Sequence, residues 1–106
     1  MPTPTDERRD LLTVIAYMWA APGKREELRA GLEALVEPTS KEKGWVNYDL
    51  HQSIEDPDMF LFYENWESGE DLDAHLSAPH LVEFAARIPE LLDERGLTVN
   101  RVRRIA

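Results

Sequence analysis

The chain has 106 residues, enough for one domain with one core, and its 42% apolar and 31% charged content is that of a globular protein. A net charge of −9 leaves no basic footprint for nucleic acid and disfavours an anionic membrane surface. No apolar run approaches the roughly 18 residues needed to span a bilayer. The absence of cysteine excludes disulfides, thiolate metal sites and cysteine nucleophiles, and points to the cytoplasm.

In chain order, MPTPTDERRD holds two prolines, five charges and little to bury, so residues 1–10 read as a flexible tail and residues 11–106 as the domain. LLTVIAYMWA is apolar and rich in β-formers, a buried strand closed by a turn at Ala21, Pro22 and Gly23. From Lys24 the period lengthens. Leu28, Leu32, Leu35 and Val36 recur at i, i+4, i+7 and i+8 among charged residues, which is an amphipathic helix. Pro38 should kink or end it, because proline has no N–H to donate, and Gly44 offers a stop after the SKEK turn. WVNYDLHQS alternates Val46, Tyr48 and Leu50 against Trp45, Asn47, Asp49 and His51. MFLFYENWE follows the IEDPD turn, and the two segments should pair as a hairpin. Ser68 and Asp71 resemble a capping box opening a short helix, with Leu72 and Leu76 facing inward. Pro79 stops that helix and starts another carrying Leu81, Phe84 and Ile88. ELLDERG reads as a last helical turn or two ending at Gly96, and LTVNRVRRI as the closing strand.

This order, with right-handed crossovers, predicts an α+β fold: the ferredoxin-like split βαβ, with a four-stranded antiparallel sheet and helices on one face. Alternation puts Phe60, Phe62, Glu64 and Trp66 on one face of the third strand and Met59, Leu61, Tyr63 and Asn65 on the other. In the first strand Leu12, Val14, Ala16 and Met18 oppose Leu11, Ile15, Tyr17 and Trp19. Both faces are apolar, and the helices cover one. A two-fold homodimer, sheet against sheet, is the expected cover for the second.

One stretch is denser in chemistry than the rest. ENWESGEDLDAHLSAPH, residues 64–80, gathers Glu64, Trp66, His75 and His80. A carboxylate among aromatics, such as Glu64, needs a partner or a proton. Trp66 reads as core or as pocket wall. His75 falls at the edge of its helix's apolar stripe, and His80 at the next helix start suits a cap as well as catalysis. By parity His51 points to a partner subunit or to solvent. No metal site is expected: helix histidines that share an ion stand at i, i+4, whereas these stand five apart across Pro79 with no acid at a recognised offset.

LLTVIAYMWAAPGK, GWVNYDLHQS, FLFYENWES and LDAHLSAPHLVEF together resemble the antibiotic biosynthesis monooxygenase superfamily, most closely its bacterial quinol monooxygenase branch, over nearly all of Leu11 to Ile105. The most specific piece is E-x-W-E-S…L-x-A-H-L-x-x-P-H, here Glu64, Trp66, Glu67, Ser68, Leu72, Ala74, His75, Leu76, Pro79 and His80. The resemblance implies a dimeric α+β barrel that oxidises a quinol or other electron-rich cyclic aromatic with O₂, without flavin, haem or metal. It makes His75 the leading base or quinol-orienting group, since imidazole titrates near working pH. Trp66 becomes a wall, with His80 and Glu64 in support. Phe62, Val14, Met18 and Phe84 become substrate contacts between sheet and helices. The chain departs from relatives elsewhere. The asparagine of polyketide-pathway members aligns with Phe62. The asparagine and haem-ligating histidine of the haem-degrading branch fall at Ala16 and near Ala85, so haem degradation is not expected. Two alternatives stay open: an isomerase of a small phosphorylated metabolite, and a non-catalytic dimeric binder of a hydrophobic metabolite.

Overall fold

A computed structural model describes residues 10–106; the tail expected over residues 1–10 lies, apart from Asp10, outside the described residues. The elements are β1 (Leu12–Ala20), α1 (Arg25–Thr39), β2 (Trp45–Gln52), β3 (Met59–Trp66), α2 (Gly69–Leu76), α3 (Pro79–Ala85), α4 (Ile88–Leu91) and β4 (Leu92–Val102). The strands form one sheet in the order β2-β3-β1-β4, every neighbouring pair antiparallel. Because β3 lies between β1 and β2, α1 must cross the sheet between them, and α2 to α4 carry the chain from β3 to the far edge beside β1. This is the ferredoxin-like α+β fold. None of the described helices is long and apolar enough to cross a membrane.

The inner face of the sheet carries the core. Val14, Ala16 and Met18 of β1 and Phe60, Phe62 and Trp66 of β3 are buried against Leu28, Leu32 and Leu35 of α1, Leu72 of α2 and Phe84 of α3. Gly31 matters here, because the Phe84 ring occupies the space a Cβ would need, which lets α3 close on α1. Pro38 sits inside the last turn of α1, which ends at Thr39, ahead of Gly44. Ser68 caps α2 by accepting from the Asp71 N–H at 3.2 Å.

Three local expectations are corrected. The ELLDERG segment is not helical beyond Leu91: β4 starts at Leu92, which pairs with Ala20 across a register shift in β1. Pairing with a central strand outweighs local helix propensity. Leu76 is not turned into the core but is 43% exposed. The outer face of the sheet is not uniformly apolar. At one end the Thr13 hydroxyl donates to Asn65 Oδ1 (2.6 Å), Asn65 Nδ2 donates to Asn47 Oδ1 (2.9 Å), and Asn47 Nδ2 donates to Asp49 (3.0 Å). The other end holds Ile15, Tyr17, Trp19, Leu61 and Tyr63, all half-buried, with Tyr17 edge-on to Trp19 and the Arg95 guanidinium 4.2 Å from the Trp19 ring centroid.

Candidate functional site

Between the inner face of the sheet and the helices lies a cavity of about 170 Å³. Its wall is apolar except at three side chains: Tyr48 from β2, Glu64 from β3 and His75 from α2. Val14, Met18, Phe62 and Phe84 all line it, and Leu76, Leu97 and Val99, each more than two-fifths exposed, form its partly open rim.

His75 is 2% exposed and packs against two aromatic rings. Its ring lies 4.6 Å from that of Trp66 and 5.2 Å from that of Tyr48, which itself stacks on Phe62. Nδ1 stands 2.9 Å from Oε2 of Glu42, and Nε2 of His80 stands 2.8 Å from the same oxygen. A carboxylate only accepts, so both imidazoles present an N–H to it. The Thr39 hydroxyl lies 3.2 Å from the same His80 nitrogen. Burial lowers the His75 pKa from its ordinary value, and the hydrogen bond and charge of Glu42 oppose that shift without cancelling it. At neutral pH the ring therefore carries one proton, on Nδ1, and its Nε2 lone pair is free for chemistry.

Glu42 reaches the histidines because its loop is pinned. Its own N–H donates to Thr39 O (3.0 Å), the Trp45 N–H donates to Glu42 O (3.3 Å), and the Glu67 N–H donates to Gly44 O (2.8 Å). Gly44 has φ +82°, a left-handed conformation that glycine adopts freely, and Asp71 fills the place of its missing Cβ. The loop thus lies directly on the start of α2, the helix that carries His75.

Glu64 is 4% exposed and accepts a 2.9 Å hydrogen bond from the Trp66 indole N–H. Burial pushes its pKa from 4.5 up to about 7; the Trp66 hydrogen bond works against this, and the charge of Glu42 adds to it. The carboxyl is therefore poised between its two forms at neutral pH. Burial likewise raises the Tyr48 hydroxyl above its ordinary range, so it stays protonated.

Of the residues singled out in the sequence, His75, Glu64, Phe62, Val14, Met18 and Phe84 come together on the cavity wall. Trp66 is fully buried behind His75 and Glu64 and is not on that wall. His80 caps no helix, since Ala78 precedes Pro79 at the start of α3, and it bonds to Glu42 instead. His51 is exposed, with Nδ1 3.1 Å from Asp49 O. Sequence reasoning missed Glu42, Tyr48 and Thr39. Glu42 lies 33 and 38 positions before the two histidines, so no spacing rule links them.

The fold that builds this site is shared with a known family. The family model for antibiotic biosynthesis monooxygenase matches residues 11–87. Rv0793 of Mycobacterium tuberculosis, named a monooxygenase by inference, is 38% identical over 81 residues, 76% of this chain and 79% of its own length. The solved structure of Rv0793 superposes with a TM-score of 0.83 at 32% identity, covering 91% of this chain and 96% of that one. The crystal structure of PA3566 from Pseudomonas aeruginosa gives 0.84 at 35% identity, covering 91% and 95%. The chain belongs to the antibiotic biosynthesis monooxygenase family.

Proposed function

We infer that the protein is a cofactor-independent monooxygenase acting on a small quinol or comparable electron-rich aromatic. The observation that carries this reading is an imidazole on the wall of an apolar cavity, with Nδ1 fixed by a carboxylate and Nε2 left as a base. Family membership supports the reaction type. A phenolic O–H placed at Nε2 gives up its proton, and the resulting quinolate is electron-rich enough to reduce O₂ directly. One oxygen atom enters the ring and the other leaves as water, so hydroquinone and O₂ give hydroxyquinone and water. The substrate supplies all four electrons, and no external reductant is needed. Glu64, half-protonated near neutral pH, faces the same space and can donate a hydrogen bond to a second ring oxygen. Trp66 holds Glu64 rather than touching substrate. An apolar cavity of about 150 Å³ accommodates benzene, so the space here suits one substituted ring, and larger ring systems require the rim at Leu76, Leu97 and Val99 to open. Among the described residues no lysine or arginine lines the cavity, which disfavours a phosphorylated substrate.

The test is O₂ uptake with monocyclic hydroquinones, measured against their spontaneous oxidation. Positioned base catalysis is typically worth about 10² to 10⁴ in rate, so His75→Gln, which keeps the bulk of this buried side chain, should lose that much, and higher pH should partly restore it by ionising the quinol. Wild-type uptake no faster than the blank would leave a ligand-binding protein in place of an enzyme.

A further inference from the structure

We propose that Glu42, His75 and His80 form a binding site for a divalent transition-metal ion of the zinc class, and that filling it switches off the base at His75. The donor set is two imidazole nitrogens and one carboxylate oxygen, all within 4.8 Å of one another. That combination suits Zn²⁺ and Co²⁺; calcium and magnesium prefer oxygen alone, and copper(I) prefers sulfur. Three protein ligands leave a fourth position for water.

The three groups come from three elements held in register: the α1–β2 loop, the end of α2 and the start of α3. Donors around a tetrahedral Zn²⁺ stand roughly 3.4 Å apart. The two carboxylate–imidazole separations, 2.9 and 2.8 Å, need to open by about half an ångström, within side-chain reach. The imidazole pair closes from at most 4.8 Å. Solvent reaches the cluster at Glu42 and His80, whose side chains are 16% and 23% exposed and do not line the cavity, so an ion need not pass through the substrate space. Among the described residues Glu42 pairs with no lysine or arginine that would compete for it. The missing acid that made a metal site unexpected from the sequence is supplied by the fold.

The effect on catalysis follows from counting protons. A neutral imidazole has one. With Nδ1–H directed at Glu42, the lone pair is on Nε2. With Nδ1 bound to a metal, the proton must sit on Nε2, and the base becomes a hydrogen-bond donor. Occupancy and quinol deprotonation at His75 therefore exclude each other. The inhibition, but not the binding, rests on the function inferred above.

The experiment uses tag-free protein stripped with a chelator and titrated with zinc chloride by calorimetry, with Co²⁺ visible absorption as a second probe. One ion per chain is expected, bound at least tenfold more weakly by Glu42→Gln and by His80→Ala and equally well by His51→Ala, with circular dichroism confirming that each variant is folded. No saturable one-to-one binding, or equal affinity in all variants, overturns the site. In the activity arm Zn²⁺ should suppress quinol-dependent O₂ uptake in proportion to occupancy, and chelation should restore it. Binding without inhibition overturns the switch and leaves the site standing. A wild-type protein with no turnover defeats the functional reading, while the calorimetry still decides the metal site.

Discussion

At the residue scale, the surroundings of Glu42, His75 and Glu64 give each a separate part in the proposed chemistry. On that proposal Glu42 is a positioning residue, acting through His75. Glu42→Gln keeps its shape but removes the charge that supports protonation of His75. Turnover should fall, and the acidic limb of the pH–rate profile should move to lower pH, because the imidazole becomes a weaker base; a merely structural contact would leave the limb unmoved. Glu64 makes a prediction about stability. Its carboxyl titrates near 7 in the fold against 4.5 outside it, so between those values the native state binds more protons than the unfolded one. The stabilisation from the protonated, buried form is complete below about 4.5 and is lost as pH rises through about 7. The full swing is about 3 kcal/mol for a shift of this size. Glu64→Gln is neutral at every pH. Its stability relative to wild type should therefore rise by up to about that amount between pH 5 and pH 8, as read by urea denaturation. Equal pH slopes for the two proteins would remove Glu64 from its poised role.

At the element scale, the loop from Ser40 to Gly44 connects fold to site. Gly23 and Gly44 have nearly the same positive φ, +80° and +82°, but a Cβ at Gly23 meets nothing within 4 Å while one at Gly44 meets Asp71. Alanine at either position carries the left-handed penalty of about 1 to 2 kcal/mol. Gly44→Ala adds displacement of Asp71 and the start of α2, so it should be the more destabilising of the pair and should also reduce turnover by shifting Glu42. Equal thermal shifts with equal turnover would show the loop tolerant and Glu42 independent of it. The same loop shows where sequence reading succeeds and stops. Leu28, Leu32 and Leu35, the alternation of Phe60, Phe62, Glu64 and Trp66, and the cap at Ser68 are short-range signals, and the structure buries or bonds each as its pattern requires. Glu42 sits among four polar and charged residues that read as a helical turn, and its partners are distant in the chain, so only the crossover of α1 makes it legible. Leu92 failed for a similar reason: its helical neighbourhood lost to pairing with Ala20.

At the scale of the whole molecule, the helices cover one face of the sheet, and no described element covers the other. Ile15, Tyr17, Leu61 and Tyr63 lie across β1 and β3, paired Ile15 with Tyr63 and Tyr17 with Leu61, as a half-buried apolar patch beside the Thr13–Asn65–Asn47 ladder. Arg95 over Trp19 screens only one corner of it. We propose a second copy of the chain as the cover for this surface, because a two-fold contact would bury the same patch on both subunits and let the polar ladder form a hydrogen-bonded margin. Light scattering at low micromolar concentration should then give about twice 12.2 kDa. Tyr17→Glu or Tyr63→Glu should shift the protein towards monomer, since an unpaired carboxylate in a dry interface is costly to desolvate. Neither residue lines the cavity, so each monomeric variant should keep the Glu42–His75 contact and its response to Zn²⁺. A native chain that scatters as a monomer across this range would refute the sheet-to-sheet pairing, and the half-burial of Tyr17 and Tyr63 by their own neighbours would then be all the cover this face requires.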